Sequence, residues 1–279
     1  MRIDVYLTQN GYTTSRTRAQ QLIADGKVCV DGATVQRPSQ ELDETWAHIV
    51  VLAQNDAYVG RGGCKLEAAL DGFSILAENV WALDIGASTG GFTDCLLRRG
   101  AARVYAVDSG VGQLAPVLQQ DSRVVSLERC NARYLQAEQL GEAFVARGGA
   151  DLIVMDVSFI SQTYILPRLP DLLLGDGRIV TLIKPQFEVG RQHIGKHGIV
   201  KESVQRRNAV LRVLECAATV GLVPLGVMRS PIEGGDGNVE YLACFRRVVD
   251  AEMQCITQMT ATVVEGLSGE LFQDKKKNK

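Results

Sequence analysis

The chain has 279 residues, which suits one large or two ordinary domains. Hydrophobic residues make up 46%, enough for a sizeable core, and 30 Lys plus Arg against 32 Asp plus Glu leave a net charge of −2, so contact with nucleic acid has to come from a local patch. The N-terminus lacks the apolar core of a signal peptide, no run of eighteen apolar residues is present, and the seven cysteines show no C-x-x-C and no pairing rhythm; these features predict a cytoplasmic protein with reduced, core-bound thiols and no membrane contact.

Residues 1–60 read as a small N-terminal α+β domain. Ile3 and Leu7 share one face of a short helix that Gly11 ends. Ser15 is placed to cap a second helix, Arg16–Asp25, with Ala19, Leu22 and Ile23 inward and Gly26 as its stop. Asp31-Gly32, between Lys27–Val30 and Ala33–Val35, is a hairpin turn signal. Arg16, Arg18 and Lys27 gather near the second helix and hairpin, with Arg2 close by, and the acidic residues of the segment have to lie on another side. The pattern S-R-x-x-A-Q-x-L-I-x-x-G-x-V-x-V-x-G, matched from Ser15 to Gly32, resembles the RNA-binding module named after ribosomal protein S-four. The resemblance implies that Arg2, Arg16, Arg18 and Lys27, with Arg61 from the link that follows, meet RNA.

A glycine-rich link (DAYVGRGG, 56–63) leads into residues 61–250, read as the second domain. Lys65–Leu76 has helical spacing, with Leu66, Ala69, Leu70 and Phe73 inward and a lysine in the first turn, where a positive charge opposes the helix dipole. Val80–Ile85 reads as a buried strand, Gly86–Gly91 as a tight glycine loop, and Phe92–Gly100 as a helix. Strand, glycine turn and helix together bring backbone N–H groups to a ligand. Arg103–Val107 is a second strand ending in Asp108, which suits hydrogen bonds to ribose hydroxyls. The loop reads G-x-S-T-G-G after Asp84, not G-x-G-x-x-G. S-adenosylmethionine, which has no pyrophosphate, needs less of a phosphate cradle.

Further strands are expected at Val124–Leu127, followed by Asn131 and Ala132, at Leu152–Met155 before Asp156, and at Arg178–Ile183 before Lys184. Helices are expected at Tyr164–Leu174 and Val204–Val220, with late strands at Leu222–Met228 and Tyr241–Phe245. The alternation predicts a parallel sheet covered on both faces. Ligands of such sheets sit beyond the carboxyl ends of the strands, where Asp84, Asp108, Asp156 and Lys184 would converge. Residues 251–279 read as a C-terminal helix and a basic tail, Lys275–Lys279. His193 and His197 lie among glycines with no third ligand in view, so no metal is expected. The surrounding loop, Gly190–Ile199, reads as a cover or an RNA contact.

Lys65, Asp156, Lys184 and Glu240 have the types and order K-D-K-E, which resembles the tetrad of FtsJ-like ribose 2′-O-methyltransferases. With RGGxKL, LDIGASTGGFTD, MDVSFIS, KPQFE and GNVEYL in order, residues 2–247 resemble the TlyA family of ribosomal-RNA (cytidine-2′-O)-methyltransferases, often labelled hemolysins. The resemblance implies a Rossmann-like α/β sheet that binds S-adenosylmethionine. Gly86, Ser88 and Gly90 would surround the methionine part, Asp108 the ribose, and Asn131 and Ala132 the adenine. It also implies ribosomal RNA or a ribosomal subunit as partner. Lys184 would act on the ribose hydroxyl either as a base or as a fixed cation. The alternative that the label suggests is a membrane-active hemolysin.

Overall fold

In a computed structural model of the chain, the described residues are 1–10, 12–13, 15–24, 28–30, 33–42, 49–51, 58–234, 237–248, 255–267 and 269–273. Lys27, the stops Gly11 and Gly26, the Asp31-Gly32 turn and the basic tail lie outside them. The chain divides into two compact units, Met1–Ala57 and Tyr58–Lys279. No helix among the described residues is long and apolar enough to cross a membrane.

The N-terminal unit holds α1 (Ile3–Gln9), α2 (Arg16–Ala24), β1 (Val28–Val30), β2 (Ala33–Thr34) and β3 (Ile49–Val51). Ser15 Oγ accepts a hydrogen bond from Arg18 N at 3.2 Å and so caps α2. The i, i+4 pair Ile3/Leu7 packs on Ala19, Leu22 and Ile23, with Val28 and Val35 closing the core. β3 pairs antiparallel with β1 on the side away from β2, a third strand that the hairpin signal does not reveal.

The larger unit runs α3 (Gly62–Gly72), β4 (Trp81–Ile85), α4 (Gly91–Arg98), β5 (Arg103–Val107), α5 (Pro116–Gln119), β6 (Val124–Leu127), α6 (Glu142–Arg147), β7 (Ala150–Met155), α7 (Leu169–Leu172), β8 (Leu173–Ile183), α8 (Pro185–Glu188), α9 (Ser203–Thr219), β9 (Leu222–Arg229), β10 (Tyr241–Arg247) and α10 (Ile256–Gly266). The strands form one sheet in the order β6-β5-β4-β7-β8-β10-β9. Side-chain alternation divides its faces. Leu83, Ile85, Ile153 and Met155 pack with Val210, Val213 and Leu214 of α9, and Ala82, Val104, Leu152 and Val154 pack with α3 and α4.

The sheet is not wholly parallel. β10 runs antiparallel to both β8 and β9. Among the described residues between β9 and β10 there is no helix, and a parallel partner would need a longer crossover. The helix expected over Tyr164–Leu174 is also absent. Pro167 and Pro170 remove backbone donors, so the segment becomes 3₁₀ turns at Gln162–Tyr164 and Leu166–Arg168 plus the single turn α7, and Leu173 already belongs to β8. The helix expected over Lys65–Leu76 starts earlier and ends at Gly72, where Phe73 caps it and Ser74 takes a left-handed φ of 54°. Cys64 and Cys255 are exposed, so not every cysteine belongs to the core.

Candidate active site

From β4 the chain steps outward to β5 and β6, then returns to β7 on the other side of β4. The gap beyond the carboxyl ends of β4 and β7 is therefore the point where strand order reverses, the usual place for a ligand in such a sheet. The two strand ends are tightly joined. Asp156 N donates to Ile85 O at 2.9 Å, and Gly86, at φ 82°, leaves its missing Cβ only 2.5 Å from Asp156 O. A side chain at Gly86 would force the strands apart.

A cavity of about 440 Å³ opens there, lined among others by Gly86, Ser88, Asp108, Asn131, Ala132 and Asp156. Asp108 accepts from Ser88 N at 2.8 Å and from Gly110 N at 2.7 Å, so the glycine loop fixes its carboxylate at the cavity wall with lone pairs to spare. Asn131 Oδ1 accepts from Arg133 N at 3.0 Å, which orders the turn after β6. Gly90 and Asp84 do not line this cavity. Gly90, at φ 96°, starts α4 where a Cβ would strike Leu118 and Leu114. Asp84 is fully buried and accepts from Thr93 Oγ1 at 2.7 Å through Oδ2, and its Oδ1 has no partner among the described residues. Burial pushes its carboxyl up to about 7, Thr93 opposes that rise, and the charges of Asp156 and Asp108 add to it.

Two ion pairs stand beside the cavity. Lys184 Nζ lies 2.6 Å from Asp156 Oδ1 and donates to Ser158 Oγ at 2.8 Å. Lys65 Nζ donates to Glu240 Oε2 at 2.5 Å, with both side chains buried. This partner explains a lysine in the first turn of α3: the local dipole cost is outweighed by a buried carboxylate, and removing either partner would cost about 3–5 kcal/mol. Burial raises the Glu240 carboxyl, while Lys65 and then Lys184 pull it down. Lys184 and Glu240 also line a neighbouring cavity of about 300 Å³.

The sequence-predicted residues separate into groups. Lys65, Asp156, Lys184 and Glu240 gather as two pairs, and Arg61 lines a third small cavity with Ser88, Asp156 and Lys184. In the N-terminal unit Arg2 and Arg16 meet on Asp4, and Arg18 is half-buried on α2 without joining them. Gly198, from the loop after α8, lines the second cavity, and among the described residues no cluster of metal-ligating side chains is found, His193 and His197 included.

Sequence reasoning missed three features. Ser158 holds the lysine. Phe159 is 92% exposed at a left-handed φ of 64°, its ring 5.3 Å from that of Phe187, and it borders the cavity at the switch point and the one lined by Lys184 and Glu240. A bulky residue in that backbone region is rare and recurs at functional sites. Finally, the buried Glu188 accepts from Ser161 Oγ at 2.5 Å and from Gln162 N at 2.8 Å, tying the loop after β7 to the turn after β8. Burial raises the Glu188 carboxyl, and these two donors offset part of the rise.

Residues 58–247 match the model of FtsJ-like methyltransferases, and residues 1–45 that of the S4 domain. The chain is 45% identical, over 89% of its length and 91% of the relative's, to the 16S/23S rRNA (cytidine-2′-O)-methyltransferase TlyA of Mycobacterium tuberculosis. It is 43% identical to Hemolysin A of Brachyspira hyodysenteriae, over 88% of this chain and 99% of that one. A solved hemolysin structure from Streptococcus thermophilus is similar at a TM-score of 0.66 and 37% identity, covering 95% of this chain and 96% of that one.

Proposed function

The chain belongs to the FtsJ-like methyltransferase family, in its TlyA group, and from that premise we propose that it methylates the 2′-oxygen of cytidine in ribosomal RNA with S-adenosylmethionine as donor. The observation that carries the reading is the pairing of Lys184 at 2.6 Å with Asp156, a wall residue of the cavity at the switch point, together with the buried Lys65–Glu240 pair.

The cavity walls suit the donor. Asp108 has lone pairs left for ribose hydroxyls, and Asn131 with Ala132 forms a wall for adenine. The Asp108 carboxylate on the cavity wall favours a ligand carrying positive charge. When bound, S-adenosylmethionine supplies an electrophilic methyl group that needs no metal.

The chain's own residues handle the nucleophile. Lys184 Nζ holds the 2′-hydroxyl and meets its proton or its developing charge. Asp156 and Ser158 fix that amine in place. Lys65 holds Glu240, and the two carboxylates balance the two lysines, so the site stays close to neutral before substrate enters. Phe159 offers an exposed ring on which a base lifted from its stack can rest. Arg2, Arg16, Arg18, Lys27 and Arg61 supply phosphate contacts. The proposed substrate implies a cytoplasmic location.

The test is a map of 2′-O-methyl positions in rRNA from a deletion strain complemented with wild type, Lys184→Ala or Lys184→Arg. A cytidine methylation lost on deletion should return only with wild type, or in part with arginine. Arginine keeps the charge but cannot lose a proton. An inactive arginine variant assigns the base role, and a partly active one assigns the fixed cation. Unchanged cytidine methylation in the deletion strain would overturn the reading.

A further inference from the structure

The N-terminal unit contains a charged cluster that methyl transfer does not use. Asp4, in the first turn of α1, has no solvent exposure. Its Oδ1 accepts from Arg2 Nε at 3.1 Å, and its Oδ2 accepts from Arg2 Nη2 at 3.1 Å, Arg16 Nε at 2.9 Å and Gln20 Nε2 at 2.9 Å. Four hydrogen bonds therefore converge on one carboxylate, one at Oδ1 and three at Oδ2. Burial alone would raise the Asp4 carboxyl, but hydrogen bonds from Gln20, Arg2 and Arg16 outweigh it and hold the group well below the ordinary carboxylate range.

The two guanidinium groups are not consumed by this arrangement. The Arg2 side chain is 44% exposed and the Arg16 side chain 52%, and Arg16 commits only its Nε to Asp4. Both arms are also fixed at the backbone. Arg2 bridges to Glu41 and Ile3 N donates to Gln40 O at 2.9 Å, while Arg16 opens the helix that Ser15 caps. Two like charges repel, and the carboxylate beneath them holds both within hydrogen-bonding distance of one point. Planar, pre-positioned arginine donors match the oxygens of a phosphate and lose little freedom on binding it.

We propose that Asp4 is the buried anchor of a two-arginine fork, and that the remaining donors of Arg2 and Arg16 together grip one phosphate of the RNA backbone. The proposal rests on the reading of the N-terminal unit as an RNA-binding arm. Asp4 is a positioning residue in this scheme and touches no RNA itself.

The idea makes a prediction of unexpected sign. Asp4→Asn adds one positive charge to the face that meets RNA, so net charge alone would tighten binding. Loss of the anchor weakens it instead. In the full-length protein, with deproteinised 16S and 23S rRNA as probes, Asp4→Asn is expected to lower affinity about tenfold and to make the salt dependence shallower by roughly one phosphate contact. Affinity at or above wild type would overturn the proposal. The decisive measurement is a cycle with Arg2→Ala/Arg16→Ala: there Asp4→Asn should have no further effect, whereas an additive loss would mean a purely structural role and would also overturn it. Should Asp4→Asn fail to fold, Asp4→Glu keeps the charge and shifts the fork by one methylene. It should fold and still bind RNA more weakly, and wild-type affinity would count against the fork. Wild-type affinity in Arg2→Ala/Arg16→Ala is a different failure, that of the RNA-binding reading itself.

Discussion

Asp4 and Asp84 are both aspartates without solvent exposure, one in each unit, and their surroundings act on them in opposite directions. Around Asp4, one donor at Oδ1 and three at Oδ2 hold the proton affinity of the carboxylate down. Around Asp84, Thr93 satisfies one oxygen, the other has no partner among the described residues, and burial with two neighbouring carboxylates raises the group to about 7. A buried carboxylate with charged donors on both oxygens acts as a fastening. One left short beside other acids keeps its proton toward neutral pH. The acid of the N-terminal unit holds two arginines still, and the buried acid of the larger unit holds a proton.

The largest expected effect separates chemistry from grip. Lys184→Ala should reduce methyl transfer by about 10²–10⁴-fold, the range for a lost acid–base group, with binding of S-adenosylmethionine and RNA near wild type. A single-turnover rate within threefold of wild type would break the assignment. Next is Asp108→Ala. Calorimetry should show cofactor affinity lower by roughly 10–100-fold, as for loss of charge-assisted hydrogen bonds, with RNA binding untouched. Equal affinity would take Asp108 out of the cofactor site.

Arg2→Ala/Arg16→Ala probes the other unit. Its RNA affinity should fall less steeply with salt, by about one to two contacts, while calorimetry finds cofactor affinity unchanged. The smallest effect is on stability. The folded-state carboxyl of Asp84, at about 7, lies above its ordinary value of 3.8, so the stability it contributes is present below about pH 4 and is lost as pH rises through 7. Asp84→Asn should therefore melt like wild type at pH 4 and above it at pH 8, by roughly 2–4 °C per kcal/mol relieved. A melting gap that does not widen with pH would mean that Asp84 is ionised throughout.

Much of the larger unit was legible because its signals are local. Trp81–Ile85, the glycine loop and Asp108 sit within one strand–turn–helix–strand passage, and a buried parallel strand announces itself as an apolar run. The tetrad was legible as residue types in order, yet its geometry was not. Lys65 and Glu240 meet across 175 positions of sequence, and no periodicity marks such a contact. The same holds for Ser161 with Glu188, and for Asp4, an acid that sits between two of the arginines and not on another side. The misread helix at Tyr164–Leu174 had a visible cause in Pro167 and Pro170, which apolar spacing outweighed. The reversed β10 depended on which connection lacked a helix, a matter of topology.

The tie between Ser161 and Glu188 has a practical meaning for enzyme design. Phe159 stands on a short span tethered at both ends, by Ser158 to Lys184 and by Ser161 to Glu188. Its exposed ring can thus be exchanged like the jaw of a wrench while the handle stays fixed. Substitutions at this one position should move KM across nucleotide substrates and leave kcat for a saturating substrate nearly constant. That would make it the natural site to diversify in a library seeking new RNA targets.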